Sequence, residues 1–72
     1  MGSRKLAPDL PGIAQRFRRL IALPDSPENS ETARRLRVDI SEALDWHELT
    51  EVQQQSLSSF DVRLAGAFPQ SS

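Results

Sequence analysis

The sequence predicts an all-α protein, a small three-helix bundle with helices at about 10–23, 27–45 and 48–68 and frayed termini. Three observations lead there. Apolar residues recur at three- and four-residue spacing in three separate stretches. Each stretch is bounded by proline, or by a hydroxyl or acidic residue suited to capping. The one run that alternates like a strand, "LRVDIS" at 36–41, has no second strand run or hairpin turn nearby to pair with.

The first segment opens at "APDLPG", with Asp9 or Leu10 near its cap. Leu10, Ile13, Ala14, Phe17, Leu20 and Ile21 fall within one arc of about 120° at the pitch of a helix. Pro24 ends it. The second segment starts at Ser26-Pro27-Glu28. The serine hydroxyl can cap, the proline loses no needed N–H, and the acid complements the positive end of the helix dipole. Ala33, Leu36, Ile40, Ala43 and Leu44 form its apolar stripe. "LRVDIS" belongs to this helix, because Leu36 and Ile40 join the stripe while Glu31, Arg35 and Asp39 stand at i, i+4 with alternating sign. The cost is Val38, about 160–170° from the stripe's centre.

The third segment has capping-box spacing at Thr50 and Gln53, with a start one turn earlier, near Trp46, also open. Leu57, Phe60, Leu64 and Ala67 share a face, Phe68 lies just beyond it, and Pro69 ends the run. Val62 lies on the opposite, polar side. A single helical domain over 10–68 is expected, with flexible ends at 1–9 and 69–72.

A chain of 72 residues builds one small domain. At this size folding buries only about 60–65% of the surface the unfolded chain exposes, so the core is meagre. The absence of cysteine excludes disulfides and thiolate metal sites, and a single histidine excludes a multi-histidine site within one chain. The apolar runs "LIAL" and "LAGAF" fall far short of the roughly 20 residues that span a bilayer. The N-terminus has no apolar signal-peptide core, and Leu6 stands where a myristoylation pattern on Gly2 needs Ser or Thr. A soluble cytoplasmic protein with no membrane partner is expected.

The net charge of −1 hides a polarity. Residues 1–37 hold eight Lys/Arg against four acids, and residues 38–72 hold one Arg against six acids. The basic half carries "RFRR" (Arg16, Arg18, Arg19) and "RRLR" (Arg34, Arg35, Arg37). Phosphate binding needs clustered, unneutralised cations on one face. In the second segment Glu31 can reach Arg34 and Arg35, and Asp39 can reach Arg35. In the first, no acid stands three or four residues from any arginine. Arg16 and Arg18 flank the apolar arc on opposite sides and Arg19 points away, as arginines do when their stems cover a helix edge. A helix-turn-helix reader would put "TEVQQQSLSS" in the groove, but Glu48 and Glu51 at its start would then face phosphates.

"DWHELTE" (45–51) holds the only Trp and the only His. His47, Glu51, Asp45 and Glu48 lack the second imidazole, thiolate or turn glycine that metal sites use. Trp46 is either the plug of a small core or the anchor of an interface. Nucleophilic catalysis needs an oriented base in a sheltered pocket, which three short helices rarely supply, and no cofactor fingerprint is present.

The expectation is therefore a non-enzymatic protein–protein interaction module: a regulator, adaptor, inhibitor or accessory subunit acting through a helical surface. Its partner is another protein or a second copy, with no cofactor, metal or small-molecule substrate. The partner-binding candidates are Trp46, Val38, Val62, Arg16 and Arg19, with burial of the two valines in a homodimer as one use. The alternative is a helix-turn-helix-like nucleic-acid binder using Arg16, Arg18, Arg19, Arg34 and Arg37.

Overall fold

The computed structural model describes residues 7–71 and is an all-α three-helix bundle, with no strand among those residues. Helix α1 spans Leu10–Ile21, α2 spans Pro27–Leu44 and α3 spans Glu51–Ala67. Short connections make sequential neighbours antiparallel, and each helix packs on both others. Of the expected flexible ends, residues 1–6 and 72 lie outside the described residues. The other end differs from expectation: Pro69–Ser71 forms a 3-10 turn packed on α2 and α3, and Ser71 is buried.

Local chemistry sets the helix limits. The Asp9 carboxylate caps α1 by accepting from the Gly12 N–H at 3.1 Å. Ser26 caps α2, its hydroxyl accepting from the Asn29 N–H at 3.1 Å. Asn29 in turn donates to the Pro24 carbonyl at 2.8 Å, and the Ser30 hydroxyl donates to Asp25 at 3.1 Å, so the turn between α1 and α2 is tied to the first turn of α2. That second bond is why a serine can be buried at position 30.

The third helix begins later than the expected position 48. Thr50 is extended, its hydroxyl accepts from the Gln53 N–H at 3.1 Å, and the Gln53 side chain accepts from the Thr50 N–H at 3.0 Å. This reciprocal capping box satisfies two amides at once, and a start at 48 would dissolve it. The other ends shift by one or two residues: α1 stops at Ile21 before the turn that Pro24 demands, α2 at Leu44, and α3 at Ala67.

The core comprises Ile13, Phe17 and Leu20 from α1, Ala33, Leu36, Ile40 and Ala43 from α2, Leu57 and Leu64 from α3, and Phe68. Phe60 stacks on Phe17 with ring centroids 4.4 Å apart, and the Arg63 guanidinium lies 5.1 Å from the Phe17 centroid. This cation–π contact covers the rim where α1 meets α3.

Two ion pairs tie helices together. Arg37 Nε of α2 donates to Asp61 of α3 at 2.8 Å, and Arg37 also donates to the Ser71 hydroxyl at 3.4 Å. Arg16 of α1 donates to Asp39 of α2 at 2.8 Å. The Arg37 side chain is 23% exposed and that of Arg16 is 53% exposed. Water screens the second pair far more than the first. Arg37→Ala is therefore expected to lower stability by about 1–2 kcal/mol, and Arg16→Ala by under about 1 kcal/mol. Urea unfolding followed by circular dichroism checks the order; equal losses would contradict it.

Candidate functional site

The seam between α1 and α2 carries two adjacent hollows. One, of about 600 Å³, lies at the end where α1 begins and α2 stops, and is lined by Pro8, Asp9, Ile13, Arg16, Asp39, Glu42, Ala43, Asp45 and Trp46. The other, of about 330 Å³, lies at the opposite end, with Leu20, Leu23 and Leu36 as its apolar lining and Arg16, Arg19 and Arg35 among its polar neighbours. Arg16 lines both hollows and Asp39 lines the first, so their ion pair separates the two.

Trp46 sits in the turn between α2 and α3, half-buried and outside the core cluster. Its amide donates to the Ala43 carbonyl at 3.0 Å, which fixes the backbone. The His47 ring lies against the indole with centroids 4.8 Å apart. The hollow beside Trp46 has four carboxylates (Asp9, Asp39, Glu42, Asp45) and one arginine in its lining. Arg16 neutralises Asp39, while Glu42 and Asp45 have no cation within ion-pair distance among the described residues.

The fold brings some candidate residues together and separates others. Arg16 joins Trp46 in the first hollow and Arg19 in the second. Val38 is 53% exposed on the outer face of α2, and Val62 is 69% exposed on the outer face of α3, opposite the buried stripe of its own helix. Neither valine lines the seam. Val52, 73% exposed, adds a third outward valine that periodicity had not singled out.

The five arginines of the nucleic-acid reading scatter. Arg16 faces Asp39, Arg34 pairs with Glu31 at 3.4 Å, and Arg37 is drawn between α2 and α3 to Asp61. Two sequence expectations change here. Asp39 turns to Arg16 across the seam, not to Arg35 on its own helix, and Arg16 is not unpaired. A partner on a facing helix reaches Asp39 with a short 2.8 Å contact, whereas Arg35 keeps only a 3.8 Å contact with Glu31. Arg18 and Arg19 have no carboxylate within ion-pair distance among the described residues, and they project from different sides of α1.

Sequence reasoning missed Asp39, Glu42, Asp45, Leu23 and Arg35 as residues of the seam. Leu23 had a signal, being a large apolar residue just past the first helix's arc with no assigned core role. The acids had none, because their meaning depends on which helix lies opposite.

No protein-family model, curated protein or solved structure matches this chain. Among the described residues, no helix is long and apolar enough to cross a membrane. Among the same residues, no three of His, Cys, Asp and Glu are grouped to hold a metal ion.

Proposed function

We propose that this chain is a small non-enzymatic protein–protein interaction module, a regulator, adaptor, inhibitor or accessory subunit, whose working surface is the α1–α2 seam. One observation carries the reading. Trp46 stays out of the core and lines an open hollow beside Glu42 and Asp45, which have no cation within ion-pair distance among the described residues. A large, rigid, half-covered indole next to a concave surface is what protein interfaces use as an anchor.

The nucleic-acid alternative draws on Arg16, Arg18, Arg19, Arg34 and Arg37. Three of these pair with carboxylates in the fold, so a phosphate would compete for them.

Capture of tagged protein from its native lysate tests both readings, with and without nuclease and at low and moderate salt. The expected result is a stoichiometric protein, another chain or an untagged copy of this one, that survives nuclease and that Trp46→Ala no longer retains. Captured nucleic acid, lost steeply with salt and retained less by the Arg18→Ala/Arg19→Ala variant, would establish the alternative.

A further inference from the structure

The two hollows of the seam are opposite in character and evenly placed about the ion pair between them. In sequence, Asp9 at the α1 cap stands seven residues before Arg16 and Leu23, just past the end of α1, seven after; Thr32 in α2 stands seven before Asp39 and Trp46, just past the end of α2, seven after. Within a helix seven residues are close to two turns, roughly 10 Å, and the caps and turns at Asp9, Leu23 and Trp46 continue the two ends of the seam beyond the helices. One half of the face is acidic and offers an indole, with Asp9, Glu42, Asp45 and Trp46. The other is apolar with a cationic rim: Leu20, Leu23 and Leu36 beside Arg19 and Arg35.

A two-fold axis that lies in a contact plane over this face, running across both helices along the Arg16–Asp39 pair, reverses the helix direction. It sets the acidic half of one copy on the basic half of the other. Self-complementarity of this kind is the requirement of an isologous interface. We propose that the occupant of the α1–α2 seam is a second copy of the chain, docked antiparallel about that axis. Trp46 of each copy covers the Leu20–Leu23–Leu36 hollow of the other, and Arg35 of each faces Glu42 of the other.

The proposal rests on the seam being the interaction surface and adds the identity of what covers it. The charges it uses are available. Glu42 has no cation partner among the described residues, and the exposed Arg35 holds Glu31 only at 3.8 Å, a contact that water and salt screen. Joining acidic end to basic end without the two-fold would leave one hollow of each terminal copy open and propagate into chains. The two-fold closes both hollows at once. The outward Val38 and Val62 take no part.

Analytical ultracentrifugation of the full chain, with each variant's helicity checked by circular dichroism, is the test. The expected result is a dimer that weakens with salt. Arg35→Glu and Glu42→Arg should each weaken it by about tenfold or more. Their combination should restore it to within a few-fold, since the swapped charges again oppose. Both positions are exposed, so neither substitution threatens the core. Val38→Asp and Val62→Asp should leave the mass unchanged.

A monomeric wild-type chain overturns this inference, and the interaction reading then stands or falls separately on the capture experiment. A dimer indifferent to both charge reversals but dissolved by Val38→Asp or Val62→Asp places the contact on the outer faces and also overturns it. So does a dimer lost in both single charge variants and not recovered in the double.

Discussion

Phe68→Ala is expected to abolish cooperative folding. Phe68 stands just past the end of α3 and is fully buried, one of the three largest side chains with that status alongside Ile40 and Leu64. It is held from both sides. Its amide donates to the Leu64 carbonyl at 2.8 Å, and its carbonyl accepts from the Ser71 hydroxyl at 2.6 Å. Ser71 in turn accepts from Arg37, which binds Asp61. The 3-10 turn at Pro69–Ser71 thus closes over the ring like a lid.

Truncating a buried phenylalanine to alanine costs about 3–5 kcal/mol. A domain of this size has on the order of 4–10 kcal/mol in total. Urea titration followed by far-ultraviolet circular dichroism should therefore find the transition of Phe68→Ala shifted to very low denaturant or lost. Phe68→Leu, which keeps most of the volume, should retain a sigmoidal transition. Deletion of residues 68–72 should behave as Phe68→Ala does. A Phe68→Ala variant with the wild-type midpoint would show that the C-terminal turn does not complete the core.

Trp46→Ala is expected to do the reverse, leaving the fold and removing the partner. The indole is half-buried and stands outside the core cluster, so its truncation should cost about 1 kcal/mol or less in stability. An interface anchor truncated to alanine loses about 2 kcal/mol or more of binding energy, roughly a 30-fold fall in affinity. Because Trp46 is the only tryptophan, its fluorescence reports on the hollow directly. Emission of the wild type should move to shorter wavelength as the site is covered, with concentration if the occupant is a second copy. An emission maximum that never moves, with an unfolding midpoint that collapses in Trp46→Ala, would mean the indole serves the fold.

These two residues mark where sequence reasoning reached and where it stopped. Trp46 and Phe68 are both aromatic and both stand at helix boundaries, and position in the chain does not separate them. Phe68 is pulled inward because the 3-10 turn doubles back onto α2 and α3. Trp46 is left at the rim because the turn before Thr50 carries Leu49, and not the indole, against the core. Similarly, serine and glutamine after a proline predict a flexible end by composition, whereas Pro69–Ser71 forms a packed 3-10 turn. Ser71 donates its amide and hydroxyl to the Phe68 carbonyl and accepts from Arg37, partners that composition does not display.

The candidate site was legible in part. Residue type and spacing single out Arg16, Arg19 and Trp46, and all three line the seam. Val38 and Val62 were correctly placed off their stripes, yet they point away from it. Spacing assigns Asp39 to Arg35 on its own helix, because that is the only electrostatic geometry a sequence displays. Its partner lies 23 residues away in sequence.

Taken alone, the sequence determined the number of helices, the cap at Ser26, the first cap to Asp9 or Leu10, the capping-box spacing of Thr50 and Gln53, and nearly all of the buried stripe. All of these depend on interactions within about four residues, where helical geometry is the same in every protein. The tertiary structure decided which aromatic plugs the core, which arginine meets which carboxylate, and that one seam has an acidic end and a basic end. Those depend on the rotation and offset of one helix against another. Helix offset is set by how the whole core packs, and no local pattern encodes it.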